Sequence, residues 1–144
     1  MPSGVYEDHG VRFEYPSDWE LEVTDLGEVT TVDVQHPAGI AFLLVRTDLS
    51  CPDPDGVADS ALEAMREEYP DLDAIPVEET FDEYRATGHD VEFFSLDISN
   101  AACIRCFQTP RRTVLVFGQW SDLGEENLPE VVGGMIRSLE ETED

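Results

Sequence analysis

From Val11 onward the chain alternates apolar and polar residues in short runs, and this period of two constrains its fold more than any other feature. Val11, Phe13 and Tyr15 alternate with Arg12 and Glu14. Leu21 and Val23 alternate with Glu20, Glu22 and Thr24, and Val32 and Val34 with Thr31, Asp33 and Gln35. Successive strand side chains point to opposite faces, so each run offers one face to a core and one to water. The segments Tyr15-Pro16-Ser17-Asp18-Trp19 and His36-Pro37-Ala38-Gly39 read as turns between these runs. Ile40 to Val45 is apolar at every position, so this strand is expected in the middle of its sheet.

The period then changes. Ala58, Leu62, Met65 and Tyr69 recur at helical spacing behind Pro52-Asp53-Pro54-Asp55-Gly56, which supplies capping aspartates and prolines for a first turn. A helix is expected over 55–69, ended by Pro70. Strand patterns return at 75–85, as one strand or a pair of short ones, and at 91–98, with a turn expected at Thr87-Gly88-His89-Asp90. The runs 101–108 and 113–120 read as a hairpin around Pro110-Arg111-Arg112. Leu128, Val132, Met135 and Leu139 form the stripe of a second helix, in which Gly133 and Gly134 are expected to allow close contact with the sheet; 140–144 reads as a solvated tail.

Short links between neighbouring strands favour antiparallel pairing. The expected class is therefore α+β: a mostly antiparallel sheet flanked by helices, in one domain spanning 1–144. With this order in view, Gly10-Val11-Arg12-Phe13-Glu14-Tyr15-Pro16-Ser17-Asp18-Trp19 and the closing Ile136-Arg137-Ser138-Leu139 resemble the PsbP-like superfamily. This is the group of the photosystem II extrinsic protein PsbP, a Ran-binding nuclear import factor and bacterial relatives. The resemblance implies an α/β/α sandwich, no catalytic residue, and action through binding other proteins.

Charge narrows the partners. The sequence holds 33 acidic residues against 8 basic ones, a formal net charge of −25, and all eight are arginines. Such a surface repels phosphate backbones and anionic headgroups, so neither nucleic acid nor membrane is an expected partner. The acidity fits general solubility or life in high salt. Melting temperature is expected to rise with sodium chloride between about 0.1 and 1 M, as the Debye length falls from about 10 to about 3 Å. Melting curves at pH 7 and near pH 4.5 check this. The rise should shrink at the lower pH, where part of the carboxylate charge is gone; a flat or falling trend at pH 7 would overturn it. The first residues lack a basic start and an apolar stretch, and three cysteines make an odd count, so a cytoplasmic location is expected.

The chemistry-bearing residues do not assemble into a recognised centre. Cys103-Ile104-Arg105-Cys106 has the spacing of half a zinc site or a redox pair, and Cys51 with His36 or His89 would have to complete a metal site. Within a strand, however, positions three apart diverge, so Cys103 and Cys106 are expected to be packing residues. Asp53-Pro54-Asp55-Gly56 faintly resembles a calcium loop, but Cys51 and Leu62 would fall at ligand positions, so it reads as a helix cap. His9, His36 and His89 are scattered, and His89-Asp90 reads as an exposed turn pair with no nucleophile beside it. Trp19, Trp120, Phe93, Phe94, Phe107 and Phe117 read as core, whereas exposure of Tyr84 or Trp120 would indicate an interaction surface.

The expected function is a non-enzymatic protein-binding, adaptor or chaperone-like module with an unknown protein partner, no catalytic residue, no metal and no cofactor. The alternative is a small-molecule binder or an enzyme using a pocket between sheet and helix. An exposed apolar patch favours the first; a pocket with converging polar groups favours the second.

Overall fold

The alternating runs become paired strands. The computed structural model describes residues 3–81, 83–123 and 127–142. In chain order the elements are β1 (Ser3–Asp8), β2 (Val11–Pro16), β3 (Glu20–Asp25), β4 (Val29–Gln35), β5 (Ala41–Asp48), α1 (Pro54–Glu68), β6 (Asp73–Phe81), β7 (Tyr84–Ser95), β8 (Ile98–Gln108), β9 (Thr113–Ser121), α2 (Leu128–Ser138) and β10 (Glu140–Glu141). Seven strands form one sheet in the order β3-β4-β5-β9-β8-β7-β6, and three form a small one, β1-β2-β10. Every pairing described is antiparallel. The α+β class and the mostly antiparallel sheet with helices against it are thus as the sequence implies.

The large sheet carries a hydrophobic cluster on each side. On one side α2 and the small sheet bury Phe13, Val34, Leu43, Val45, Val114 and Val132. On the other, α1 buries Ala58, Leu62 and Met65 against Val91, Ile104, Cys106 and Leu115. Neighbours in sequence are split between the two: Val114 and Val116 face α2, Leu115 faces α1. Burying a large aliphatic side chain contributes roughly 1.5–3 kcal/mol, so each cluster alone outweighs any single polar contact.

Local signals set the element ends. Asp53 caps α1, its carboxylate accepting the Gly56 N–H at 3.3 Å, with Pro54 in the first turn. Gly39, at φ 74°, closes the β4–β5 turn. The close approach of α2 to the sheet is made by Gly118 of β9, where an added Cβ would lie 2.6 Å from Val132, and not by Gly133 or Gly134.

Several expectations need correction. The 87–90 turn does not exist: β7 runs unbroken through it, and the chain reverses earlier, between the paired Phe81 and Tyr84. Gly88 is there because the strands approach closely: an added Cβ would stand 1.7 Å from the Ile104 carbonyl oxygen. The β7–β8 reversal lies at Leu96 and Asp97, both at positive φ, so Ile98 belongs to β8 and not to the preceding strand. Strand β1 was not expected. Part of the expected tail is β10, which pairs with β2; residues 143–144 lie outside the described residues. The run at Val11 joins the small sheet and not the large one.

Candidate functional site

Helix α1 lies over β7, β8 and β9 and leaves the β5 side of the same face open. The alternation in β5 sends Leu43 and Val45 into the core and turns Phe42, Leu44 and Arg46 toward the uncovered side. Register then builds rows across four strands. Phe117 of β9 pairs with Leu44, Leu44 with Asp33 of β4, and Asp33 with Glu22 of β3. A second row runs Gln119, Phe42, Gln35, Glu20. With strands about 4.8 Å apart, each row passes from apolar to acidic within about 15 Å.

Between these rows and the flank of α1 lies an open groove of about 480 Å³. Phe42, Leu44 and Phe117 form its floor; Ala61, Met65 and Tyr69 form its wall. The Phe42 and Phe117 rings stack at 5.7 Å and 8°, and Tyr69 packs on Phe93 at 4.2 Å. Glu68 also lines it, and Arg46, in the adjacent row Leu115–Arg46–Thr31–Thr24, brings one cation into the same lining. Burial, and then the nearby Glu68 carboxylate, push the Tyr69 phenol pKa up. Asp33 is raised by its own burial first and by Glu22 second. Neither Asp33 nor Glu22 has an ion-pair partner among the described residues. The floor is therefore apolar, the flank beside Leu44 and Phe42 is negative, and the one positive group, Arg46, lies a row away from those acids.

A second concave region, of about 320 Å³, lies beside the β1–β2 turn and includes His9, Thr30, Thr47 and Arg112. The Tyr6 hydroxyl and His9 Nδ1 are 2.7 Å apart, and His9 Nε2 lies 3.2 Å from Asp25. Burial first, and then Asp8 and Asp25, push the Tyr6 phenol up to about 12. Arg112 Nη1 donates to the His9 carbonyl at 3.1 Å and Nε lies 3.4 Å from Glu141. These contacts tie the β1–β2 turn to β3, the β8–β9 turn and β10, and their geometry is that of a structural strap.

The residues singled out in sequence are dispersed. Cys103 joins the α2-side cluster and Cys106 the α1-side cluster, so their side chains point apart. Burial pushes their thiols up to about 11 and about 12, which suppresses the reactive thiolate. Cys51 sits beyond β5, its thiol near the Leu49 carbonyl. No group of three His, Cys, Asp or Glu able to hold a metal occurs among the described residues. His89 and Asp90 are consecutive strand residues and diverge: His89 meets Asp59 of α1 at 3.1 Å, and Asp90 meets the buried Arg105 at 2.9 Å. His89 is thus largely shielded in a strand, not exposed in a turn. His36 is buried against Trp19, their rings 5.2 Å apart.

Among the aromatics, Trp19, Phe93 and Phe107 are core, and Trp120 and Tyr84 are partly buried beside it. Phe94 is 76% exposed, contrary to the core expectation. It falls on the opposite side of β7 from Phe93, and α2 does not reach that far. The groove itself was missed in sequence, although the wholly apolar Ile40–Val45 run was its signal.

No protein-family model matches the chain, and neither does any curated protein. Solved structures do. The cyanobacterial PsbP (CyanoP) from Synechocystis sp. PCC 6803 superposes with a TM-score of 0.69 at 11% identity, over 97% of this chain and 92% of that one. PA94 of Pseudomonas aeruginosa, a protein of unknown function and putative regulator by its description, gives 0.56 at 14% identity over the whole of both chains. LpqN of Mycobacterium tuberculosis, involved in cell envelope biogenesis, gives 0.53 at 13% identity, over 96% of this chain and 89% of that one. At such identities the likeness is one of fold.

Proposed function

We propose, on the premise that this chain has a PsbP-like fold, that it is a non-enzymatic protein-binding module, working in the cytoplasm, and that the groove between α1 and β5 is its docking surface. The single observation that carries this reading is the groove's composition. Most of its lining is apolar, with Phe42, Leu44, Leu115, Phe117, Ala61, Met65 and Tyr69 against only Arg46, Glu68 and Gln119 as polar side chains. Small-molecule and catalytic sites place a few polar groups at the centre of an apolar pocket; docking surfaces place apolar anchors at the centre and polar groups at the rim. No helix among the described residues is long and apolar enough to cross a membrane.

The test is capture from the source cell with three baits: the native chain, Leu44→Asn and Leu26→Lys. Leu26 is 76% exposed in the β3–β4 turn, remote from the groove, and serves as the control. Burying one leucine in an interface contributes roughly 1.5–3 kcal/mol, so Leu44→Asn is expected to cut capture of the partner about tenfold or more. Leu26→Lys should leave it unchanged. Identical capture by the native chain and Leu44→Asn would remove the groove from the reading.

A further inference from the structure

We infer that the groove receives a cationic amphipathic segment of a protein partner, with apolar anchors on Phe42, Leu44 and Phe117 and lysines or arginines over Glu68, Asp33 and Glu22. This rests on the docking reading above and gives the partner its chemistry.

The row Phe117–Leu44–Asp33–Glu22 carries the argument. Two carboxylates directly opposite each other on neighbouring strands destabilise a sheet. Here they sit in register beside an apolar floor, half-buried at Asp33, with no cation paired to either among the described residues. A ligand that brings positive charge to that flank removes the repulsion, and its apolar side chains meanwhile cover Leu44 and the stacked Phe42 and Phe117 rings. Glu68 provides a third carboxylate across the groove, on α1. Cations on both sides of an apolar stripe are the pattern of a basic amphipathic helix or strand.

The other occupants fit worse. A second copy would bring a net charge of −25 to a surface of the same sign. Nucleic acid and anionic lipid would bring phosphate to carboxylate. A neutral apolar peptide would fill the floor but leave Asp33 and Glu22 facing each other under a less polar cover, where like charges repel more strongly.

Three fluorescein-labelled synthetic peptides of about 15 residues test this, built on the helix-in-groove spacing of anchors. The first has tryptophan, leucine and phenylalanine anchors flanked by lysines. The second keeps the anchors and replaces lysine with glutamine. The third keeps the lysines and replaces the anchors with serine. Anisotropy titrations are run at about 0.05 and 1 M sodium chloride against the native chain and a Glu22→Gln/Asp33→Asn variant.

The first peptide is expected to bind at least tenfold tighter than either of the others at low salt. The double variant should weaken it about fivefold at low salt and hardly at all at high salt. Its melting temperature should rise by about 1 to 4 °C, because the cross-strand repulsion is gone. Binding and stability moving in opposite directions excludes misfolding as the cause. Equal affinity of the lysine and glutamine peptides would overturn the cationic assignment while leaving the groove as a docking site. Equal affinity of the anchorless peptide would reduce it to general attraction to a polyanion. A failure of all three to bind would overturn this inference, and the Leu44→Asn capture would still decide the docking reading. A dimer in sedimentation that is lost in Leu44→Asn would assign the groove to a second copy and overturn it as well.

Discussion

Replacing Gly88 with alanine is expected to destabilise the fold by about 2 to 4 kcal/mol, at the upper end of what overpacking does. The alanine Cβ would lie 1.7 Å from the Ile104 carbonyl oxygen, 2.7 Å from its carbon and 3.1 Å from the Arg105 Cα. All three are backbone atoms of β8, so no rotamer change relieves the contact. Only a parting of β7 and β8 would, and that pair runs in unbroken register from Ala86 to Ser95. For a chain of this size, 1 kcal/mol moves the melting temperature by roughly 3–5 °C, so a fall of about 6 to 20 °C is expected. Urea unfolding of Gly88→Ala against the native chain measures it. A loss below about 1 kcal/mol would show that β8 yields and that the close approach is not required.

Arg112→Met should destabilise by a similar or larger amount, about 3 to 5 kcal/mol. Only 4% of the Arg112 side chain is exposed, and 13% of its partner Glu141. The guanidinium occupies the place where a Cβ of Gly10 would be, 0.9 Å from Nη1, so Gly10 and Arg112 fit only each other. Methionine fills much of the same volume but leaves Glu141 as a shielded carboxylate without its cation. Thr109 would still donate to Glu141, at 2.6 Å, which softens the loss without neutralising the charge. The loss of the Nη1 contact to the His9 carbonyl also frees the β1–β2 turn. Pairing Arg112→Met with Glu141→Gln should recover at least half of the lost stability, because the stranded charge is then gone. Urea unfolding of the native chain, both single variants and the double variant completes the cycle. Additive losses would mean that the pair does not interact.

The sequence exposed most of the large sheet, because period-two alternation reports a face directly. Val32, Val34, Leu43 and Val45 all lie in the α2-side cluster, as their spacing requires. Both helices were visible through their apolar stripes at helical spacing, and the Asp53 cap set the start of α1 to within one residue. Glycine carried the main ambiguity. Gly88 between Thr87 and His89 looks like turn chemistry, but only its neighbours in three dimensions show that it serves close strand contact. Leu96 and Asp97 make a turn at positive φ without glycine or asparagine, so local composition could not mark it. Strand β1 joins β2 through a two-residue turn, His9 and Gly10, both at positive φ, and Gly10 was the local signal that went unread; β10 escaped because it is only two residues long and pairs with a strand far away in sequence. The groove had a signal in the apolar Ile40–Val45 run, but the run alone could not be read as a groove. An apolar run in a middle strand predicts burial on both faces, and only the placement of α1 reveals that one face of β5 is left uncovered.

The large sheet ends at β3 and β6, and what stands there has a consequence for assembly. A terminal strand offers unpaired N–H and C=O groups to any passing chain. Here β3 carries Glu20, Glu22 and Asp25, and β6 carries Asp73, with Pro76 interrupting the donors and Glu78 and Glu79 already paired with Arg85 and Arg105. Two such borders meeting would set acid against acid, at about 1 kcal/mol for each pair of charges 4 Å apart in water. The cost rises with every further pair of acids brought opposite each other, which disfavours edge pairing between two copies. A strand rich in lysine or arginine meets no such barrier. Charge at the borders thus disfavours pairing between like-charged edges more than between unlike ones.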